Sequence, residues 1–249
     1  MRILGIESSS LVASVAIVTD EVLTAEYTVN FKKTHSQTLL PMIDEVVRML
    51  GIGLETVDAI AVSGGPGSFT GLRIGSATAK GLGLALDKPL IHVPTVDAMA
   101  FNLYGASALI CPMMDARRSQ VYTGLYRNQD AFEVVKPQCA MDVGELVKEL
   151  NERGEKVIFL GDGVPVYAGI IRDLITVPYE FAPAHVNCQR GGSVAAMGAW
   201  YYAQGRTETA GEHAPDYLRK AQAERELEEA KRQGKVEELA AGHSVGTGE

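Results

Sequence analysis

The chain has 249 residues, 46% hydrophobic and 22% charged, with a formal net charge of -8. It is long enough for one large domain or two lobes with a sizeable core. The acidic balance argues against a protein that grips a nucleic-acid backbone over a wide surface, because that affinity depends on Lys and Arg neutralising phosphates.

Cys111, Cys139 and Cys188 are odd in number and far apart, which points to buried apolar thiols and away from a disulfide framework or a CxxC site. The chain opens directly into an apolar run at 3–6, without the basic segment and apolar stretch of a signal peptide. No apolar run reaches the ~20 residues of a membrane helix; the nearest, 74–86, is interrupted by Lys80. The expectation is a cytoplasmic protein.

Residues 2–7 and 12–18 alternate as strands joined by Ser8-Ser9-Ser10, and 22–29 adds a third strand to the meander. A helix follows over 36–50, with Thr34 or Ser36 as N-cap and Gly51 and Gly53 at its end. The β-branched run 59–62 is a buried strand, and the glycines after it supply a tight turn into a helix over 72–86. That helix carries Gly75, Gly81 and Gly83, each about 1 kcal/mol worse than Ala in a helix interior, a cost that close packing would offset. A strand at 90–93 and a short helix after Thr95 complete the first half.

The second half repeats the order. Residues 108–114 and 120–126 form a hairpin around Asp115-Ala116-Arg117-Arg118, and 132–135 is a third strand. A helix spans 142–150, with Asp142 three residues before Glu145 in a capping-box arrangement. A buried strand at 157–160, the turn Gly161-Asp162-Gly163 and a helix over 166–174 follow. The pattern predicts an α/β chain with two lobes, 1–104 and 105–219, each with an acidic residue closing its first strand, Glu7 and Asp115. A last helix over 193–204 carries Trp200, Tyr201 and Tyr202 as core and lobe-contact side chains. Residues 220–249, rich in Glu, Lys, Arg and Ala, read as a solvated, partly helical tail ending in disorder.

A glycine turn ahead of a helix exposes N–H groups to an anion, which makes Gly65 and Gly67, with Glu7 and Asp115, phosphate candidates. No standard fingerprint is present. The stretch lacks the GK[ST] ending of a P-loop, and Gly65-x-Gly67-x-x-x-Gly71 is one residue too long for GxGxxG. Phe69 stands where a hydrolase elbow needs its serine. Turn and packing, or anion binding, both remain open; equally, Glu7 suits a hairpin hydrogen bond and Asp115 a turn.

On the 36–50 helix, Leu39, Leu40, Met42, Ile43, Val46, Val47, Met49 and Leu50 cover about half the circumference, where packing on one lobe needs a stripe of roughly 100°. On the next helix Gly75, Ala79 and Gly83 line one face at i, i+4 and i+8, open to close approach of another backbone. Leu39, Met42, Ile43, Val46, Met49, Leu72, Gly75, Ala79 and Gly83 are therefore expected at a partner interface. The alternative is that both helices are buried within the monomer.

The stretch GGPGSFTGLRIG at 64–75 resembles the signature of the TsaB family, formerly called YeaZ. MRILGIESS at 1–9, His35-Ser36-Gln37-Thr38-Leu39-Leu40-Pro41, Met114-Asp115-Ala116-Arg117-Arg118, Gly161-Asp162-Gly163 and Pro215-Asp216-Tyr217-Leu218-Arg219 fit it in the same order. The resemblance implies the actin-like, hexokinase and Hsp70 class of duplicated ribonuclease H-like fold, in which two lobes flank a nucleotide cleft. It implies a non-catalytic scaffold of the complex that forms threonylcarbamoyladenosine beside the tRNA anticodon. The implied partners are a second copy as homodimer, TsaD, TsaE through the TsaB–TsaD complex, and tRNA only indirectly. No cofactor is required, beyond a weak ATP or ADP site at most, formed in the complex.

TsaD holds its metal on two histidines one helical turn apart, whereas here His35 is followed at i+4 by Leu39, so no metal and no catalytic residue are expected. His35 reads instead as a hydrogen-bonding residue at a helix start. The actin-like class places a glycine two residues after its acid; this chain has Glu7-Ser8-Ser9 and Asp115-Ala116-Arg117. Both departures count against the enzyme alternative, an ATP-dependent small-molecule kinase or a TsaD-like metalloprotease.

Overall fold

Two five-stranded mixed sheets organise the computed structural model, which describes residues 1–31 and 34–218. The tail expected over 220–249 lies outside the described residues. The first sheet has the order β3-β2-β1-β4-β5, built from β1 (Arg2–Glu7), β2 (Val12–Thr19), β3 (Val22–Asn30), β4 (Ala59–Gly65) and β5 (Leu90–Pro94). The second has the order β10-β9-β6-β7-β8, from β6 (Leu109–Asp115), β7 (Gln120–Arg127), β8 (Glu133–Asp142), β9 (Val157–Leu160) and β10 (Tyr179–Phe181). In each sheet the first strand pairs antiparallel with the second and parallel with a strand reached through a helix. The helices are α1 (His35–Leu50), α2 (Phe69–Leu86), α3 (Thr95–Phe101), α4 (Val143–Arg153), α5 (Gly163–Leu174) and α6 (Gly191–Ala203). None among the described residues is long and apolar enough to cross a membrane.

The period-2 pattern of the first sheet feeds two separate cores. Leu4, Ile6, Val15, Ile17, Ile60 and Val62 pack with α1 and α2, while Ile3, Ala16, Val18, Ala59 and Ala61 pack with α6. Late in sequence, α6 thus returns to the first sheet. Its backbone comes so close that a Cβ on Gly5 would collide with Ala195, and one on Gly198 with Ala61. Trp200 of α6 meets Phe132 edge-on at 6.3 Å, and Phe132 stacks on Tyr126 of β7 at 5.5 Å, an aromatic contact between α6 and the second sheet.

The interface expected on α1 and α2 is corrected by this packing. Leu39, Met42, Ile43, Val46, Leu72 and Ala79 are each at most 5% exposed, and Gly75 and Gly83 are buried. The wide apolar arc of α1 is explained inside the monomer, because that helix packs on β2 and on α2 at once and needs a stripe for each. Only Met49 of the expected set is exposed, at 73%.

Other differences are local. α2 starts at Phe69, three residues earlier than expected, with the Ser68 hydroxyl accepting from the Gly71 N–H. β8 continues through Pro137, which an edge strand tolerates because its outward N–H needs no partner. The Asp142 carboxylate caps α4 by accepting from the Gly144 and Glu145 N–H groups at 2.7 and 3.3 Å. Asp142→Ala should therefore cost about 1 kcal/mol in urea unfolding.

Candidate functional site

The glycine stretch and the β1–β2 turn are packed together. The Ser68 N–H donates to the Ser9 carbonyl at 2.6 Å, and the Ser8 hydroxyl to the Gly71 carbonyl at 2.9 Å. A Cβ on Gly67 would strike the Ser9 carbonyl oxygen, one on Gly71 that of Ser8, and one on Gly75 the Ser8 hydroxyl. Gly67, just ahead of α2, and Gly71 and Gly75 within it form a groove that holds Ser8 and Ser9, and this close approach accounts for the two glycines in the first turns of the helix. Gly65 has φ +119°, and its N–H donates to the Thr95 hydroxyl at 3.2 Å. Of the two glycines expected to face an anion, Gly65 thus has its N–H bonded within the chain, as do its neighbours Ser68 and Gly71.

Glu7, at the end of β1, is 1% exposed, and one carboxylate oxygen accepts from both the Ser9 N–H and the Ser9 hydroxyl at 2.6 Å. Burial pushes its carboxyl from an ordinary 4.5 up to about 7, against those hydrogen bonds, and the charge of Asp162 acts in the same direction. Asp115, at the end of β6, accepts from the Arg117 N–H at 2.8 Å and the Tyr167 hydroxyl at 2.9 Å, and pairs with the Arg117 guanidinium at 3.1 Å. So Glu7 holds its hairpin and Asp115 its turn. Arg117, Arg118 and Ser119 all have positive φ, a turn no glycine relieves.

Asp162 is the acid that sequence reasoning left inside a motif and did not single out. It follows β9, its carboxyl is raised by burial, and Gln189 Nε2 donates to it at 3.1 Å. The charge of Asp115 raises it further, so Glu7, Asp162 and Asp115 interact as one acidic set drawn from both sheets. Its signal was positional: a glycine-flanked acid after the second crossover strand. His35 takes no part; its Nε2 lies 3.0 Å from the Val12 carbonyl oxygen. Cys111 is buried, with its thiol pushed up to about 12 by burial, and so is chemically quiet.

Two matching mixed sheets with acids at the ends of their first strands define the two-lobed actin-like class. A solved YeaZ from Pseudomonas aeruginosa shares this fold with TM-score 0.72, at 24% identity over 87% of this chain and 99% of its own. The inorganic polyphosphate/ATP-glucomannokinase of Arthrobacter sp. strain KM matches with TM-score 0.50 at 11% identity, covering 82% of this chain and 99% of that one. The family TsaD, tRNA N6-adenosine threonylcarbamoyltransferase, matches residues 25–227. The tRNA threonylcarbamoyladenosine biosynthesis protein TsaB of Bacillus subtilis strain 168 is 33% identical over 227 residues, 90% of this chain and 96% of that protein. The chain belongs to the TsaB (YeaZ) family.

Proposed function

We propose that this chain is a non-catalytic scaffold that binds a TsaD-type threonylcarbamoyltransferase and supports threonylcarbamoyl transfer to the adenosine next to the tRNA anticodon. The observation that carries this reading is that Ser8 and Ser9 lie along Gly67, Gly71 and Gly75, in the room where glycines would bring backbone against a phosphate. The internal hydrogen bonds of Glu7, Asp115 and His35 support it. The net charge of -8 supports tRNA being held by the partner. The same reading puts the complex in the cytoplasm, with TsaE joining through it.

The contact surface, for TsaD and for a second copy in turn, is the outer face of the helices whose inner faces form the core. The buried stripe Gly75, Ala79, Gly83 has an exposed counterpart on α2, Arg73, Ala77, Gly81 and Leu84. Leu84 is 74% exposed, and a Cβ on Gly81 would meet nothing within 4 Å. Leu40 and Met49 add exposed apolar groups on α1.

The test is complementation. Cells lacking the chain should lose threonylcarbamoyladenosine, measured by mass spectrometry of tRNA nucleosides, and the wild-type gene should restore it. Leu84→Asp should fold with stability within about 0.5 kcal/mol of wild type, as an exposed position allows. It should nonetheless lose TsaD in pull-downs and fail to complement. Normal modification without the chain would overturn the function; full TsaD binding by Leu84→Asp would overturn this surface.

A further inference from the structure

We infer that His92, Glu208 and His213 form a binding site for a divalent transition-metal ion of the zinc type. Each offers one nitrogen or oxygen, and the three donor atoms lie within 4.8 Å of one another. Tetrahedral zinc with bonds of about 2.0–2.1 Å places its ligand atoms roughly 3.3 Å apart, so side-chain shifts on the order of 1 Å close the set. Two imidazoles and one carboxylate suit zinc-like ions, whereas calcium and magnesium take oxygen ligands.

The fold builds this cluster from segments far apart in sequence. His92 lies in β5, the edge strand, its ring seated over Gly64, where a Cβ would collide with it. The segment after α6 adds to that edge, with Leu90 and Glu208 exchanging both backbone hydrogen bonds at 2.9 Å. The turn Thr209–His213, closed by the His213 N–H on the Thr209 carbonyl at 3.1 Å, then carries His213 inward to 2% exposure. Lys80 of α2 donates to the His213 carbonyl at 2.9 Å, fixing the turn from the other side.

A second observation points to a ligand. His213 Nδ1 lies 2.6 Å from a Glu208 oxygen, but its Nε2 is buried with no hydrogen-bond partner. A buried polar nitrogen left unbonded is costly, and coordination of a metal ion at Nε2, with the Glu208 carboxylate turned from Nδ1 to the ion, satisfies it. Asp216 lies 3.2 Å from His92 Nε2 and supplies the second imidazole with a carboxylate as well. A metal here would clasp the 208–213 segment to the edge of the first sheet. This inference stands apart from the scaffold reading, since it concerns neither the acidic set nor the outer helix faces.

The full chain, stripped with a chelator that is then removed, should take up one zinc ion per chain in competition with a chromophoric chelator. Cobalt(II) should give the visible absorption of a tetrahedral site, and added zinc should raise the melting temperature. His92→Gln and Glu208→Gln should each weaken zinc binding at least about 10-fold and abolish the cobalt spectrum, while exposed His185→Gln changes nothing. Glu208→Gln keeps an acceptor for His213 and His92 is only half-buried, so both variants should fold. Absence of saturable zinc binding, or binding unchanged in both variants, would overturn the inference.

Discussion

Ala79→Arg is expected to leave the chain unfolded. Ala79 is fully buried in the core formed by Ile43, Val46, Ile60 and Val62. Its replacement would place a guanidinium there with no acidic partner in that cluster, and an uncompensated buried charge costs several kcal/mol. Overpacking adds about 1–3 kcal/mol. Against a total stability of about 5–15 kcal/mol, that sum removes most or all of the folded population. Leu84→Asp, five residues along the same helix but on its solvent side, is the matched contrast. Far-ultraviolet circular dichroism and urea unfolding of the two variants measure the difference. A cooperative Ala79→Arg fold near wild-type stability would mean the inner face of α2 is open after all, and Gly75, Ala79 and Gly83 would return as a contact surface.

This contrast marks where sequence reasoning stopped. Alternation at 2–7 and 12–18 and the continuous apolar run at 59–62 were enough to place β1, β2 and β4, because a short apolar run bounded by turn residues suits a buried strand. The apolar arc of α1 was equally visible, but periodicity reports how much surface a helix must cover and not how many neighbours share the task. A sheet and α2 together absorb the arc that looked like surplus. Chain order also said nothing of α6 crossing back to the first sheet. The three residues of β10 are too few for a pattern. Glu7 and Asp115 stood out by position, while Asp162 and Gln189 join them only through the tertiary fold. His92 and His213 could not be paired from sequence at all, since a backbone bridge between Leu90 and Glu208 brings them together. Metal ligands on one helix announce themselves at i and i+4; ligands on separate segments do not.

Between pH 4 and 8 the largest pH effect should come from Glu7, and Glu7→Gln should isolate it. In the unfolded chain the carboxyl titrates near 4.5, and in the folded chain burial raises it to about 7. Between those values the native state keeps a proton that the unfolded state has lost, so raising the pH favours unfolding. Below 4.5 both states are protonated and the penalty is absent; above 7 both are ionised and it is complete. A shift from 4.5 to about 7, at about 1.4 kcal/mol per unit, corresponds to roughly 3 kcal/mol. Glutamine mimics the protonated acid and keeps a carbonyl oxygen for the Ser9 N–H and hydroxyl, so it should match wild type near pH 4.5. By pH 8 it should be more stable by about 3 kcal/mol, and titrations common to both proteins cancel in that difference. Urea unfolding at half-unit pH steps gives the curve. A difference that stays flat across this range would show that ionised Glu7 is as well accommodated as the neutral acid, with the Ser9 hydrogen bonds offsetting its burial in full.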